Sequence, residues 1–193
     1  MKYSWIAIIF VFFLISCSSD SSSPSGPKTP TSILIPLKTG NVWNYRQYHY
    51  GNNGQRDDSA IVALTISKVT TIAGVHWYSP NPSYWETNKS DGLWEKDNQN
   101  HDFLFFRYPY SNLAVYAVAA NINCQLETTH DTVTVPYGTI SCYVYHVTVR
   151  PPYGNQSISR EYIKPDLGIV KQEDYDSYGF LAYSYELISC TLH

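Results

Sequence analysis

Three segments of different polarity follow one another along the chain. Residues 5–15 form an unbroken apolar run of eleven side chains behind a single positive charge at Lys2. Residues 18–32 are rich in Ser and Pro and offer no apolar side chain for a core. From Ile33 onwards, short apolar and polar positions alternate to the end of the sequence. The pattern predicts one β domain over residues 33–193, with a flexible linker over residues 17–32 before it.

The alternation in the third segment has the two-residue period of β-strands, with Gly-, Pro-, Asn- and Asp-rich turns between the strands. The clearest hairpin signal is Asp91-Gly92. No segment keeps a 3.6-residue period; residues 113–120 could form one short helix, but they lack caps, which favours strand or irregular structure. The predicted strands are residues 42–48, 60–70, 75–78, 84–87, 93–96, 103–109, 125–135, 140–149, 157–164, 169–173 and 180–192.

This order of elements predicts an all-β fold, an antiparallel meander that forms a strongly curved sheet or a barrel, with a β-sandwich as the alternative. The most regular strand is residues 140–149. Its alternation places Ile140, Cys142 and Val144 on one face and Tyr143 and Tyr145 on the other. We expect the first face to be buried, because tyrosine hydroxyls can stay in contact with water.

The apolar run at the start is too short for a transmembrane helix, which needs roughly 20 residues, and fits a signal peptide instead. It ends in Leu14-Ile15-Ser16-Cys17, which resembles the lipobox of bacterial lipoproteins. The resemblance implies that residues 1–16 are removed and that Cys17 carries acyl chains, palmitate among them, which hold the protein on a membrane. Ser18 stands where an Asp would retain a lipoprotein in the inner membrane, which implies the outer membrane, on either its periplasmic or its surface face.

The amino-acid composition limits the classes of partner that the protein is expected to bind. The formal net charge is −3, only 15% of the residues are charged and the sequence contains no basic run, so nucleic acid is not expected as a partner. Three cysteines follow Cys17; in an oxidising compartment two of them could pair, and free thiols are the alternative. They are Cys124, Cys142 and Cys190.

Motifs for chemistry are scarce. The sequence has no Gly-x-Ser-x-Gly elbow, no His-Glu-x-x-His and no phosphate loop, so it predicts no cofactor, no metal site and no catalytic residue. Glu86 and Glu95 flank the Asp91-Gly92 turn and could face each other, a pair that could serve glycoside hydrolysis but is more often solvated. Residues 174–179 read as a hairpin turn that faintly resembles half a calcium loop. Six histidines are scattered singly: His49, His76, His101, His130, His146 and His193.

Aromatic side chains are the better candidates for a site, since they make up 16% of the chain, with 18 Tyr and 5 Trp. Flat rings stack on sugars or line an apolar cavity, although core and cross-strand packing is their commoner use. The candidate ligand-stacking residues are Trp43, Tyr45, Trp77, Tyr84, Trp85 and Trp94. Asp58-Ser59-Ala60 and Asp131-Thr132-Val133 also resemble an O-glycosylation signal of some Gram-negative secretion systems.

Four segments together resemble a widespread group of uncharacterised bacterial lipoproteins. These are residues 36–45 (Pro-Leu-Lys-Thr-Gly-Asn-Val-Trp-Asn-Tyr), Asp91-Gly92-Leu93, residues 133–143 with their Val-Pro-Tyr-Gly-Thr turn, and residues 166–171 with Gly-Ile-Val-Lys. The resemblance implies a curved antiparallel sheet or barrel and no particular activity. Tyr137 departs from the pattern, because the group has a small residue there.

Two functions of different class remain open. The first is a non-catalytic binding or scaffolding lipoprotein that recognises a glycan, a lipid or an envelope protein. The second is an envelope hydrolase with an unrecognised site. A pocket with convergent carboxylates or a histidine would favour the hydrolase, and an aromatic-lined groove without titratable groups would favour binding.

Overall fold

The described part of the chain is built from β-strands. A computed structural model describes residues 32–51, 53–81, 84–97, 101–151 and 156–193. Every regular element in these ranges is a strand, and no helix among them could span a membrane. The predicted signal peptide, Cys17 and all but the last residue of the predicted linker lie outside the described residues.

The described residues form thirteen strands, which are numbered in chain order. They are β1 (Val42–Tyr50), β2 (Arg56–Thr65), β3 (Lys68–Ile72), β4 (Val75–Asn81), β5 (Tyr84–Lys89), β6 (Gly92–Lys96), β7 (Asp102–Arg107), β8 (Tyr116–Ala119), β9 (Ile122–Val135), β10 (Gly138–Val149), β11 (Ser157–Lys164), β12 (Gly168–Tyr175) and β13 (Leu181–Thr191).

The strands form two antiparallel sheets. The large sheet has eight strands in the order β2-β1-β13-β12-β11-β10-β9-β8, and the small sheet has five in the order β3-β4-β5-β6-β7. Strands β8 to β13 follow one another as neighbours, and the β1–β2 hairpin joins at the β13 edge. The prediction of an all-β antiparallel meander is therefore confirmed, and the sheets are not closed into a barrel.

The chain passes from one sheet to the other at Ile66 and Ser67, inside the predicted strand 60–70. Ile66 is 1% exposed and its backbone is held by two hydrogen bonds, from Gly40 N to Ile66 O and from Ile66 N to Asn41 O, both 2.9 Å. Val62, Leu64 and Ile66 alternate up to this point, but the next position on their face is Lys68, and Val69 is one position out of phase. The break in the alternation coincides with the change of sheet.

The Asp91-Gly92 hairpin forms as predicted, with Lys89 paired to Gly92 across the turn. Gly92 has a φ of +143°, and a Cβ there would lie 1.9 Å from the backbone oxygen of Phe106. Glycine is therefore required both by the backbone angle and by the close approach of β7. The turn fixes the register of β5 against β6.

Strand β10 corrects the predicted assignment of faces. Cys142 and Val144 are buried as expected, each 1% exposed, but Tyr145 is 0% exposed and Val147 is 4% exposed. The pairing of β10 with β9 shifts register on both sides of Val144, so neither face stays exposed along the strand. The Tyr145 ring can be buried because its hydroxyl donates a 2.7 Å hydrogen bond to the Arg107 carbonyl.

Residues 113–120 are irregular up to β8, as favoured over a helix. All three described cysteines are free thiols, with Cys124 and Cys142 buried. Burial raises the pKa of Cys124 to about 12 and that of Cys142 to about 11, so neither is a thiolate at neutral pH.

Candidate functional site

One row of cross-strand neighbours on the large sheet leads from the core to the candidate site. Tyr145 on β10 lies opposite Leu126 on one side and Glu161 on the other. Glu161 lies opposite Gln172, and Gln172 lies opposite Tyr185. Directly paired residues share a face of the sheet, so the row changes from apolar to polar within five strands.

The small sheet adds two carboxyl groups. Glu86 on β5 lies opposite Glu95 on β6, as the turn between them predicts, and Tyr78 on β4 is the other neighbour of Glu86. Tyr78 packs against the main core, which places this row on the face turned to the large sheet. The charge of Glu95 acts on both Glu86 and Glu161. We call Glu86, Glu95 and Glu161 the carboxyl cluster.

Burial raises the pKa of all three acids. Burial, followed by the charge of Glu95, raises the pKa of Glu86 well above its usual value. Burial raises the pKa of Glu95 to about 7. Burial, and then the charges of Asp174 and Glu95, raise the pKa of Glu161 to about 8 against the lowering effect of a Ser159 hydrogen bond. At neutral pH most of the cluster is therefore uncharged.

Glu161 has one carboxyl oxygen left without a partner. The Ser159 hydroxyl donates to Oε1 at 3.3 Å, while Oε2 is buried and has no hydrogen-bond partner. The side chain is only 8% exposed. An unpaired buried carboxyl oxygen is costly to a fold and points to a ligand, a proton or a water as its partner.

A cleft opens beside the cluster between the two sheets. It has a volume of about 280 Å³, and all eight of its lining side chains are uncharged: Tyr45, Val62, Ala63, Leu64, Tyr84, Ile169, Gln172 and Tyr185. We call this the inter-sheet cleft. Gln172 is the cross-strand neighbour of Glu161, and the charges of all three cluster acids act on Tyr84. The cluster therefore lies directly next to the cleft.

Hydrogen bonds hold two of the cleft tyrosines in place. The Tyr45 hydroxyl donates to the Ile169 carbonyl at 2.9 Å, and the Tyr185 hydroxyl accepts from Gln47 Nε2 at 2.9 Å. Burial, and then the charge of Glu161, raise the pKa of Tyr45. Burial, and then the charges of Glu86, Glu95 and Glu161, raise the pKa of Tyr84. Both phenols therefore stay protonated at all ordinary pH values.

The six aromatic residues predicted for ligand stacking lie in three places. Tyr45 and Tyr84 line the inter-sheet cleft. Trp43 is 1% exposed in the core, where its Nε1 donates to the Leu167 carbonyl at 2.7 Å. The other three residues, Trp77, Trp85 and Trp94, lie on the opposite face of the small sheet from Glu86 and Glu95.

Lysines pack against two of those tryptophans, Trp77 and Trp94. The Lys89 ammonium lies 3.7 Å from the centroid of the Trp94 ring, and the Lys96 ammonium lies 4.8 Å from that of Trp77. Lys89 and Lys96 both pair with Asp102. The indole N–H of Trp94 donates to Asp91 at 2.8 Å. These cation–π contacts and ion pairs give the lysines and tryptophans on this face a structural role.

The remaining sequence candidates lie apart from the cleft. His146 Nδ1 is 3.2 Å from Glu127 Oε1, and the described residues contain no group of three or more His, Cys, Asp or Glu that could hold a metal ion. Residues 174–179 contain the predicted hairpin turn, in which Asp176 accepts from Tyr178 N and Phe180 N. Ser59 and Thr132, the hydroxyls of the two possible glycosylation signals, are exposed on strands, and their modification stays a prediction.

Sequence reasoning missed Glu161 and Tyr185. Glu161 alternates with Ile163, which is 0% exposed, so the strand pattern already placed it on an apolar face. That signal was available, but the sequence could not show that the opposing sheet brings Glu86 and Glu95 to the same place. Tyr185 had no distinguishing signal among the many tyrosines.

Two solved structures are similar to this chain. A protein described as a candidate lipoprotein from Parabacteroides distasonis is 13% identical with a TM-score of 0.48, and the match covers 83% of this chain and 99% of that chain. A candidate exported protein with a YmcC-like fold from Bacteroides fragilis is 11% identical with a TM-score of 0.46, over 83% and 99% of the two chains. No protein-family model and no curated protein matches the sequence. Identities and TM-scores at this level carry no argument about function.

Proposed function

We propose that this chain is a lipid-anchored envelope protein. We propose further that it binds an uncharged saccharide in the inter-sheet cleft and does not catalyse a reaction of it. The observation that carries the proposal is the lining of the cleft, which has three tyrosines, one glutamine and no charged side chain. Tyrosine rings stack on the flat apolar faces of sugar rings, while Gln172 and the phenol hydroxyls suit sugar hydroxyls. A charged ligand would find no counter-ion among these lining residues.

The test is binding of the detergent-solubilised chain to a panel of neutral and acidic glycans. We expect binders among the neutral glycans, and at least a tenfold weaker dissociation constant for Tyr84→Ala and for Tyr185→Ala. Tyr178→Ala is the matched control, because Tyr178 is 82% exposed and lies in the β12–β13 turn. A panel with no neutral binder, or equal losses in Tyr84→Ala and Tyr178→Ala, would contradict the proposal.

The anchor is the second part of the proposal. Leu14-Ile15-Ser16-Cys17 supports acylation at Cys17, and each buried methylene of an acyl chain contributes about 0.8 kcal/mol to membrane attachment. Ser18 supports sorting to the outer membrane. Metabolic labelling with a fatty acid should mark the wild-type chain and leave Cys17→Ser unmarked. A labelled Cys17→Ser variant would show that the acyl chains are elsewhere.

A hydrolase is the second candidate, and one observation favours it. Glu95 is half-buried, whereas Glu86 and Glu161 are buried, and burial raises the pKa of Glu95 to about 7, which is a suitable value for a general acid at neutral pH. Glycans that bind should therefore also be incubated with the protein and examined for shorter products. If shorter products appear with the wild type but not with Glu95→Gln, and this variant still binds the glycan, the result would support the hydrolase and contradict a purely binding function.

A further inference from the structure

Both sheets place carboxyl groups in the space beside the inter-sheet cleft. Glu86 and Glu95 come from the small sheet, Glu161 comes from the large sheet, and Glu86 and Glu161 are each 8% exposed. Glu86 and Glu95 are direct cross-strand neighbours, which brings their Cβ atoms to about 5 Å. The contact between the sheets at this point is therefore made partly by acids.

Among the residues that the structure describes, no positively charged side chain acts on Glu86, Glu95 or Glu161. The charges that act on Glu86 and Glu161 come from Glu95 and Asp174, which are themselves acids. The titratable and polar groups that the surrounding strands bring to the cluster are Tyr45 on β1, Tyr78 on β4, Tyr84 on β5, Cys124 on β9, Tyr145 on β10, Ser159 on β11, Gln172 and Asp174 on β12, and Tyr185 on β13. When the cluster ionises, these groups supply no counter-charge.

We propose that the carboxyl cluster is a proton-controlled clasp: it holds the two sheets together beside the cleft while uncharged, and loosens β5 and β6 from the large sheet when it ionises. Like charges that appear in a buried space repel each other and also draw water in. The small sheet is the part that moves, because β5 and β6 pair only with β4, β7 and each other. The consequence for ligand affinity rests on the proposed function, whereas the loosening itself needs no ligand.

The direction of the pH effect follows from the raised pKa values. In the unfolded chain these acids titrate near 4.5, while in the folded protein the pKa is about 7 for Glu95 and about 8 for Glu161. The folded state therefore binds more protons than the unfolded state between these values, and its stability falls as the pH rises. The stabilisation is complete below about pH 4.5 and is lost as the pH passes through 7 and 8.

The first experiment compares urea unfolding at pH 5.5 and pH 8.5. We expect the midpoint of the wild type to fall by on the order of 1 M or more at the higher pH. Glu161→Gln and Glu95→Gln should each remove a clear part of this fall, since an amide cannot ionise. Glu186→Gln is the control, because Glu186 forms an ion pair with Arg56, with 3.2 Å between the charged atoms, and does not belong to the cluster. A fall that is equal in all four proteins, or absent from the wild type, overturns the clasp.

The second experiment locates the opening by hydrogen exchange. After correction for the intrinsic pH dependence of exchange, amides in β5 and β6 should exchange on the order of tenfold faster at pH 8.5 than at pH 5.5, and those in β9 and β10 should change much less. Glu161→Gln should clearly reduce the difference, and Glu95→Gln serves if that variant does not fold. Uniform acceleration across all strands would mean global unfolding and would overturn the proposal.

The two proposals fail in different ways. Suppose that binding of a neutral glycan requires Tyr84 but is equally strong at both pH values, and that hydrogen exchange in β5 and β6 does not depend on pH. This result would support the binding function and contradict the clasp. Local opening of β5 and β6 with no glycan binder in the panel would support the clasp and remove the binding function.

Discussion

The space between the two sheets has an apolar end and a polar end, and a single row of residues crosses both. At the apolar end, Leu126 and Tyr145 are each 0% exposed, and the Tyr145 ring meets Phe106 with centroids 4.7 Å apart. Two and three strands further along the same row, Gln172 and Tyr185 line a cleft. Glu161 lies between the two ends, buried but polar.

The difference shows that backbone pairing and side-chain chemistry are set separately in this fold. Each residue of the row is paired with its neighbour on the next strand, so the row is continuous although its side chains change from apolar to polar. Burial of apolar side chains at one end supplies the stability that the polar end lacks. The polar end can therefore keep a cleft and three acids with raised pKa values, features that a core would not tolerate alone.

The largest expected effect tests the apolar end. Tyr145→Ala should lower the free energy of unfolding by about 4 kcal/mol, because it empties a fully buried aromatic site. Denaturant unfolding measures the loss, and Tyr178→Ala should stay within about 0.5 kcal/mol of the wild type. A small loss for Tyr145→Ala would mean that the apolar end does not carry the stability of the domain.

An intermediate effect of the opposite sign tests the polar end. Glu161→Leu should raise the free energy of unfolding by about 2 kcal/mol at pH 8.5 and change it little at pH 5, because the substitution removes an acid that is charged only at the higher pH. Glu186→Leu should bring no such gain. Destabilisation by Glu161→Leu at pH 8.5 would show that this acid has a partner that compensates its charge.

The smallest effect separates the ring of Tyr145 from its hydroxyl. Tyr145→Phe keeps the packing against Phe106 and leaves the Arg107 carbonyl without its 2.7 Å donor. We expect a loss of about 1 kcal/mol, the usual net contribution of one hydrogen bond, measured by the same unfolding curves. A loss as large as that of Tyr145→Ala would indicate that the hydroxyl, and not the ring, fixes this part of the core.

Local features of the fold could be predicted from the sequence because neighbouring residues determine them. Asp91-Gly92 set the β5–β6 register and so the pairing of Glu86 with Glu95. The faces of β10 could not be predicted, because register shifts around Val144 depend on how β9 packs. The division of residues 60–70 between two sheets left only a local sign in the sequence, since Val69 is one position out of phase with Leu64 and Ile66, and such a break does not specify a second sheet.

The candidate site shows the same limit at longer range. Tyr45 and Tyr84 were predicted as ligand-stacking residues, and both line the cleft, although their role there stays a proposal. Glu161 joins Glu86 and Glu95 only through the packing of one sheet on the other, and no short-range pattern encodes that contact. Trp77, Trp85 and Trp94 could not be separated from Tyr84 until the faces of the small sheet were known.

The pairing of β1 with β13 determines the order in which the domain can assemble. Asn44 and Ser189, which face each other in this pair, are 145 residues apart in the chain, whereas β3 to β7 are each paired with a strand next to them in sequence. Contacts between residues so distant carry a large loop-closure cost and form slowly. During synthesis from the N-terminus, the small sheet can therefore be completed early. Strands β1 and β2 can join the rest of the large sheet only after β13 has been made. The inter-sheet cleft, which takes Tyr84 from β5 and its other lining residues from β1, β2, β12 and β13, is consequently among the last parts of the domain to form.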